Sequence, residues 1–370
     1  MEDEKKVTTT MHFAAINPRY ETNIVSAKET EVRGIDFITW GTDNRYPQYI
    51  WGLQNDVTLI RTIVNGIADY VCGEEIKFNY VPWQMRINDK GETIEDLVRS
   101  LGWDLAMYGG FAFNVIRNKM GGIAQICYLD FKNLRSDRNN EFFFYADDWD
   151  KTYGRVKYHK YPKFRTDGKE VSSIYYYKNS RNTTYPIPPI EGDAAVAAET
   201  EKGISEFHLN SIKNGFSANV IINFNNGQPT SEEQEEVERN LNEKFGGYQN
   251  AGRMMAAFND TKDNSVTVEK ISAEDFGERY SALSKSTKQE IYSAFRAHPQ
   301  LFGLPTEGTG FNDMDYAEAF KIFNKTVILP MQKTIKRSLE YVLGIPEVIE
   351  IVPFAIDWDT EGAENKELVK

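Results

Sequence analysis

The stretch that decides the fold is SEEQEEVERNLNEKFGGYQNAGRMMAAFN, residues 231–259. Ser231 is a favourable N-cap with Gln234 three residues on, and apolar residues then recur at every fourth position: Val237, Leu241 and Phe245. This pattern predicts a helix that ends near the glycine pair. RMMAAF within the stretch reads as a strand, and so do NVIINF before the helix and VTVEKI after it. We therefore predict a small strand–helix–strand–strand unit.

Two long helices are predicted on either side of this unit. Residues 194–216 and 274–297 carry apolar residues at helical spacing. Each would be about 35 Å long at about 1.5 Å per residue. Helices of matched length that lead to a compact module and back indicate a stalk carrying a knob.

The first half of the chain has an α+β pattern. Leu59, Ile63 and Ile67 predict a helix that stops at Gly73, and a second helix covers about 93–107. Strands are predicted in the segments that follow: GGFAFNVIRN, GGIAQICYLD, EFFFYAD, GRVKYHKY and VSSIYYYKN. The proline-rich YPIPPIEGD closes this half, and residues 1–35 form a polar arm without a firm period.

Residues 301–311, LFGLPTEGTGF, resemble the start of a phosphate-binding P-loop because three glycines lie close together. A P-loop follows a strand and carries Lys-Ser/Thr after its last glycine. Here a helix precedes the segment, and Thr309-Gly310 stands in place of that pair. The segment is therefore predicted to be a flexible hinge, since glycine adopts many conformations at little steric cost.

A long helix is predicted after the hinge, from about 315 to 343. Pro330 should bend it, because proline removes one backbone hydrogen bond and clashes with the preceding turn. Gly344 ends the helix, and VIEIVPFAIDWD reads as a final strand before a polar tail.

Composition excludes several classes of protein. The 370 residues carry a net charge of −12, with no run of lysines and arginines that would grip duplex DNA. No apolar stretch is long enough to span a membrane, and MEDEKKVTTT is not a secretory signal. Cys72 and Cys127 are isolated, so we expect no disulfide and folding in a reducing cytoplasm. If the protein handles DNA, it should do so loosely or by enclosure.

The ordered series of segments resembles the portal proteins of tailed double-stranded-DNA bacteriophages. It runs from the 231–259 stretch through AFRAHPQLFG and the glycine-containing loop to NKTVILPMQKTIKRSLEYVLG. The family's A-F-x-x-x-P-x-L-x-G motif is matched by Ala294, Phe295, Pro299, Leu301 and Gly303, and its mid-helix proline by Pro330. The resemblance extends from about residue 40 to 358 and is strongest over 190–345.

The resemblance implies an α+β portal-protein fold with an α/β wing, a two-helix stem, a small α/β clip and a long kinked wing helix. The implied domains are the N-terminal arm 1–35, wing 36–190, first stem helix 191–217, clip 218–272, second stem helix 273–303, tunnel loop 304–314, long wing helix 315–345, and wing strand and tail 346–370. A helical crown, which many relatives have at the C-terminus, is expected to be absent or minimal.

The resemblance also implies function. It predicts a ring, usually of twelve subunits, at one capsid vertex of the virion, assembled in the host bacterial cytoplasm. Double-stranded DNA would pass through the ring without sequence specificity as it is packaged and ejected. The implied protein partners are the major capsid protein, the large terminase of the packaging motor and a neck or head–tail adaptor. No membrane partner is expected.

Two sets of site residues follow from this assignment. The loop residues that would face the DNA channel are Thr306, Thr309, Phe311, Asn312 and Asp313. An acidic helical face in the clip would dock the motor or adaptor: Glu232, Glu233, Glu235 and Glu236. Such a face is otherwise an ordinary solvated surface, and only the resemblance gives it a role.

The residues themselves offer two other functions. Asp313, Asp315 and Glu318 could hold Mg²⁺ in a nuclease, although Asp315 as a helix cap with Glu318 three residues on explains the pattern more simply. Alternatively, the knob 218–272 could bind a basic partner as part of a protein that forms no ring. We find no catalytic constellation in the sequence and expect no enzymatic activity, cofactor or metal.

Overall fold

The protein is described by a computed structural model that covers residues 13–15, 25–80, 83, 85–149, 156–213, 221–224, 236, 239, 255–258, 273–303 and 313–354. It divides into two compact units. The larger comprises 24–198 and 288–370, and the smaller comprises 1–23 and 199–287. Among the described residues, no helix combines the length and apolar character needed to cross a bilayer.

The helices of the described residues are α1 Tyr46–Asp56, α2 Thr58–Cys72, α3 Ile94–Tyr108, α4 Asp193–Lys213, α5 Ala273–Ala294, α6 Asp313–Phe323 and α7 Leu329–Leu343. The strands are β1 Phe13–Ala15, β2 Glu29–Glu31, β3 Ile38–Trp40, β4 Glu75–Phe78, β5 Gly110–Arg117, β6 Ile123–Tyr128, β7 Leu134–Ser136, β8 Phe142–Tyr145, β9 His159–Pro162, β10 Ser172–Lys178, β11 Ile221–Phe224, β12 Met255–Phe258 and β13 Ile349–Val352. The helices and strands predicted for the first half are confirmed.

The described residues of the larger unit form three sheets. Five strands run in the order β2-β3-β7-β8-β9, three in the order β10-β5-β6, and β13 pairs with β4. The pairings are antiparallel. Helices α2 and α3 belong to the same buried core as the strands, with residues such as Ile63, Val64, Val98 and Leu101 completely enclosed.

Local sequence explains where α3 begins and ends. Thr93 and Asp96 form a capping box, in which each side chain accepts a hydrogen bond from the other residue's backbone N–H. The carboxylate of Asp96 is held by these bonds, so its pKa is lowered. The helix closes at Gly109, which has a left-handed backbone conformation.

A buried arginine joins α1 to the 3-10 turn Phe131–Asn133 and β7. The Arg135 guanidinium donates five hydrogen bonds, to Asn44 Oδ1 (2.6 Å) and the Asn44 carbonyl (2.6 Å), to Gln48 Oε1 (3.1 Å), and to the carbonyls of Lys132 (2.8 Å) and Leu134 (2.7 Å). Its charge also lies 4.8 Å from the ring of Trp149. Because a buried charge is tolerated only when its donors are satisfied, this network fixes the connection.

The smaller unit contains a sheet to which the N-terminal residues contribute. Its strand order is β1-β12-β11, with β11 and β12 parallel and β1 antiparallel to β12. Within residues 1–35, β1 pairs in this sheet and β2 pairs with β3 in the larger unit, while the assignment of 1–35 to an N-terminal arm stays a prediction. The predicted strands at 219–224 and 253–258 are confirmed in part as β11 and β12, and the predicted strand at 266–271 lies outside the described residues.

Helices α4 and α5 pack against each other within the smaller unit. Phe207 of α4 lies 4.7 Å from Tyr280 of α5 between ring centroids. Glu201, six residues earlier on α4, accepts hydrogen bonds from the hydroxyls of Ser284 (3.1 Å) and Thr287 (2.9 Å). The earlier residue of α4, Glu201, contacts later residues of α5 than Phe207 does. The two helices are therefore antiparallel here, as expected for an outgoing and a returning helix.

The regular α-helical pattern of the long C-terminal helix is interrupted near Pro330, as predicted. The interruption is a π-helical turn, which the sequence did not predict. A π-helical turn, Asn324–Ile328, separates α6 from α7, and the Leu329 N–H donates to the Asn324 carbonyl five residues back. Pro330 follows directly as the second residue of α7, so the missing proline N–H coincides with the change in backbone hydrogen bonding. The expected bend itself stays a prediction.

The start of this helix corrects one expectation. Helix α6 begins at Asp313, so Asp315 lies inside the first turn and is not the N-cap. The capping box proposed for Asp315 and Glu318 was therefore wrong. The expectation failed because acidic residues favour every position of a first turn, and their presence does not fix the cap.

One buried carboxyl in the larger unit predicts an unusual pH dependence. Asp104 of α3 is fully buried, and its Oδ1 accepts a hydrogen bond from the Tyr128 hydroxyl at 3.2 Å. Its Oδ2 has no hydrogen-bond partner in the described part of the chain. Burial, reinforced by the nearby charge of Asp130, raises the pKa of Asp104 well above its usual range.

We expect Asp104→Asn to stabilise the protein increasingly as pH rises. The folded state keeps a proton that the unfolded chain releases, so wild-type stability is fully present below the unfolded pKa and is lost as pH rises through the folded one. The asparagine side chain does not titrate, so the Asp104→Asn variant does not lose this stability as pH rises. The gain in thermal unfolding midpoint should therefore grow from about pH 4 to about pH 8. The exposed Asp89→Asn is the control, and a gain independent of pH would contradict the explanation.

Candidate functional site

The candidate site is the glycine-containing segment between Gly303 and α6. Four of the loop residues assigned to a DNA channel lie outside the described residues: Thr306, Thr309, Phe311 and Asn312. The fifth, Asp313, is the first residue of α6. The structure describes both ends of the segment, and these ends show how it is held.

The upstream end is a 3-10 turn, Pro299–Phe302. Gly303 closes the turn, and its N–H donates to the Pro299 carbonyl. Its φ of 81° is a conformation that residues with a side chain rarely adopt, which explains a glycine here. Two residues of the family motif, Phe295 and Leu301, are buried in the core of the larger unit. The motif therefore builds the turn that precedes the segment.

Phe302 occupies a space left by a glycine on α2. A Cβ atom on Gly66 would lie 2.7 Å from Cε1 of Phe302, which is closer than side chains pack. The Phe302 ring also makes near-perpendicular contacts with Tyr70 (6.3 Å, 87°) and Phe323 (5.7 Å, 89°). Such edge-to-face geometry is favourable for aromatic pairs. The upstream end of the segment is thus packed against α2 and α6.

The downstream end is packed against the same tyrosine. Phe320 and Phe323 of α6 lie 5.6 Å and 5.9 Å from the ring of Tyr70. The pKa of Tyr70 is raised, mainly by burial and to a smaller extent by a hydrogen bond with the Tyr316 hydroxyl. We call Gly66, Tyr70, Phe302, Phe320 and Phe323 the loop base. It holds together the two ends of the segment, although its members come from three separate parts of the chain.

The other predicted site residues are less fully described. Glu236 is helical and exposed, while Glu232, Glu233 and Glu235 lie outside the described residues, so the docking face stays a prediction. For the nuclease alternative, Asp313, Asp315 and Glu318 all belong to α6. No group of three potential metal ligands occurs among the described residues.

The two cysteines are poorly suited to nucleophilic chemistry. Burial raises the pKa of Cys72 to about 11, and burial also raises the pKa of Cys127. Because the thiolate is the reactive form, both thiols are less reactive than an ordinary cysteine near neutral pH.

Comparison with known proteins identifies the family. A family model described as phage portal protein matches residues 88–362, well over half of the chain. The chain therefore belongs to the phage portal protein family. This family is structural and not enzymatic, in agreement with the expected lack of a catalytic centre. Comparison with curated protein sequences gave no match.

Two solved structures share the fold at TM-scores above 0.5, and a third aligns with a lower score. A chain in the virion of a native gene transfer agent particle aligns with a TM-score of 0.53 and 18% identity, over 88% of this chain and 89% of that chain. A chain in the neck of an empty gene transfer agent particle, computed with C6 symmetry, aligns with a TM-score of 0.53 and 17% identity, over 87% and 88%. An HK97 family phage portal protein from Corynebacterium diphtheriae aligns with a TM-score of 0.47 and 9% identity, over 86% and 96%.

The packing of the loop base predicts how the Gly66→Ala substitution changes the stability of the protein. Alanine normally stabilises a helix relative to glycine, by about 1 kcal/mol. Gly66→Ala should instead destabilise the protein by about 1–3 kcal/mol, because the new methyl displaces the Phe302 ring from a packed site. Gly52→Ala in α1 is the matched control, since a Cβ there meets nothing within 4 Å. Unfolding midpoints measure both effects.

A second substitution makes the test specific. Phe302→Leu removes the atoms that the Gly66→Ala methyl would strike, so the two changes together should cost less than the sum of their separate costs. Strictly additive costs, or a stabilising Gly66→Ala, would contradict the proposed contact.

Proposed function

We propose that the protein is the subunit of a ring at one capsid vertex through which double-stranded DNA enters and leaves the phage particle. The match of the portal family to residues 88–362 carries this proposal. The matched region contains both the paired helices α4 and α5 and the two ends of the 304–312 segment. The C6 symmetry computed for the neck that contains a chain of the same fold supports a ring. A ring of twelve copies is the form we infer.

The two compact units support a separate assignment for the wing and the clip. We assign 36–190 and 315–345 to a wing, and both ranges belong to the larger unit. The clip, 218–272, belongs to the smaller unit. The boundaries between the units fall inside α4 and α5, the helices assigned to the stem. A long helix pair of this kind can connect the clip to the wing.

Charge explains how DNA could move through such a ring without adhering. Each subunit carries a net charge of −12, so repeated copies repel the phosphate backbone. The segment assigned to the channel offers Thr306, Thr309, Phe311 and Asn312, none of which can form an ion pair with phosphate. Contact with the duplex would be weak and steric, while the loop base holds the ends of the segment.

The clip is the surface we assign to partner docking. Its helix carries Glu232, Glu233, Glu235 and Glu236, and a basic surface of the large terminase or of a neck adaptor is the complementary partner. The wing would contact the major capsid protein. These locations correspond to a virion protein that is assembled in the host bacterial cytoplasm.

Replacing residues 304–312 by a glycine-serine linker of equal length tests the proposal. The linker leaves the loop base and α6 in place, so light scattering should show particles many times 42.5 kDa with the wild-type unfolding midpoint. Particles assembled with this variant should fail to retain packaged genome. A monomeric wild-type protein, or normal genome retention by the variant, would contradict the proposal. A bound nucleotide would raise the unfolding midpoint of the wild type. Because the segment is predicted to be a hinge and not a P-loop, we expect ATP to leave that midpoint unchanged.

Charge reversal in the clip tests the docking surface. We expect the combined change of Glu232, Glu233, Glu235 and Glu236 to lysine to preserve the ring and weaken pull-down of the terminase or adaptor. A control variant reverses four exposed glutamates of the larger unit: Glu74, Glu75, Glu170 and Glu347. Equal loss of partner binding in both variants would show that net charge, and not the clip, decides the interaction.

A further inference from the structure

The exposed face of the long C-terminal helix carries a row of cations. Helix α6, the π-helical turn and α7 bury Phe323, Val327, Ile335 and Leu339 in the core. The exposed residues of the same helical stretch include four basic ones, which we call the basic stripe: Lys321, Lys325, Lys333 and Arg337. Arg337 lies 16 residues beyond Lys321, so the stripe extends for about 24 Å along the helix.

The stripe lies in a positively charged segment of a protein whose net charge is negative. Residues 319–343 contain five lysines and arginines and a single acidic residue, Glu340. This segment therefore carries +4, which leaves −16 on the rest of the chain. Glu340 lies 3.7 Å from Lys336, which is outside the stripe. In the described part of the chain, no carboxylate lies within ion-pair distance of the stripe residues.

Apolar side chains accompany the cations on this face. Ile322 is 64% exposed beside Lys321, and Tyr341 is 52% exposed one turn beyond Arg337. These two side chains add apolar area to the face that carries the cations, and a contact with another protein would bury that area.

We propose that the basic stripe is one side of the contact between neighbouring copies of this chain, and that it faces an acidic surface of the next copy. The inference rests on the proposed ring. A closed ring forms from a head-to-tail contact, in which two different surfaces of each subunit meet. A basic face on a chain that is otherwise strongly acidic makes such a contact self-complementary in charge and disfavours the like-with-like arrangement.

The stripe also offsets a cost of assembly. Acidic subunits brought together in a ring repel each other, and this repulsion acts over about 10 Å at 0.1 M salt. Cations placed in the contact replace part of that repulsion by attraction, while Ile322 and Tyr341 supply apolar area that becomes buried.

Three proteins test the proposal by light scattering over a range of salt concentrations. They are the wild type, a stripe variant with Lys321, Lys325, Lys333 and Arg337 changed to glutamate, and a control variant with Lys90, Lys119, Lys157 and Lys169 changed to glutamate. Both variants change the net charge equally, and all four control positions are exposed. We expect the stripe variant to form rings at least about tenfold less than the control, since each tenfold change corresponds to about 1.4 kcal/mol.

The outcomes separate the inference from the proposed function. A wild type that forms no particle larger than a monomer contradicts the ring itself, and this inference with it. If the wild type assembles and both variants assemble equally, the ring stands and the stripe has no part in it. If circular dichroism shows that the stripe variant is unfolded, the same four positions are changed to glutamine. That variant should assemble less than the wild type and lose the salt dependence of assembly.

Duplex DNA is the alternative occupant, and a binding measurement distinguishes it. A fluorescent DNA duplex is titrated with wild-type and stripe-variant protein at low salt. We expect no difference in affinity. A stripe variant that still forms rings but binds the duplex more weakly would overturn the proposal in favour of DNA.

Discussion

The contact on which the rest of the structure depends is that of the Phe302 ring with Gly66 of α2. No other residue type at position 66 leaves room for the ring, and the ring in turn meets Tyr70 and Phe323 at right angles. Through Tyr70, the same helix face also holds Phe320. The two chain segments on either side of 304–312 are therefore both packed against α2.

Much of this architecture could be predicted from local patterns. Apolar spacing predicted α2 and α3, and the predicted helices 194–216 and 274–297 correspond to α4 and α5. The pairing of those two helices followed from their matched lengths. The loop base could not be predicted, because Gly66 and Phe302 meet only in the folded chain and neither is unusual in its own neighbourhood. The pairing of β1 with β12 escaped prediction for the same reason.

The start of α6 and the π-helical turn show a second limit. Acidic residues at 313, 315 and 318 all suit a helix N-terminus, so their positions could not fix where the helix starts. Pro330 predicted an interruption, but a bend and a widened turn are both ways to lose one hydrogen bond. The basic stripe was hidden because its members are separated in sequence, and only the helix brings Lys321, Lys325 and the others onto one face.

Electron cryomicroscopy of the purified protein tests the central claim most directly, namely that the loop base presents residues 304–312 to a channel in a ring of identical subunits. The account predicts a ring with a central opening, in which this segment of every copy lines the opening and Phe302 lies on Gly66 at its base. A ring whose opening is lined by other residues, with 304–312 on the outer rim, would contradict it. So would a particle with no opening.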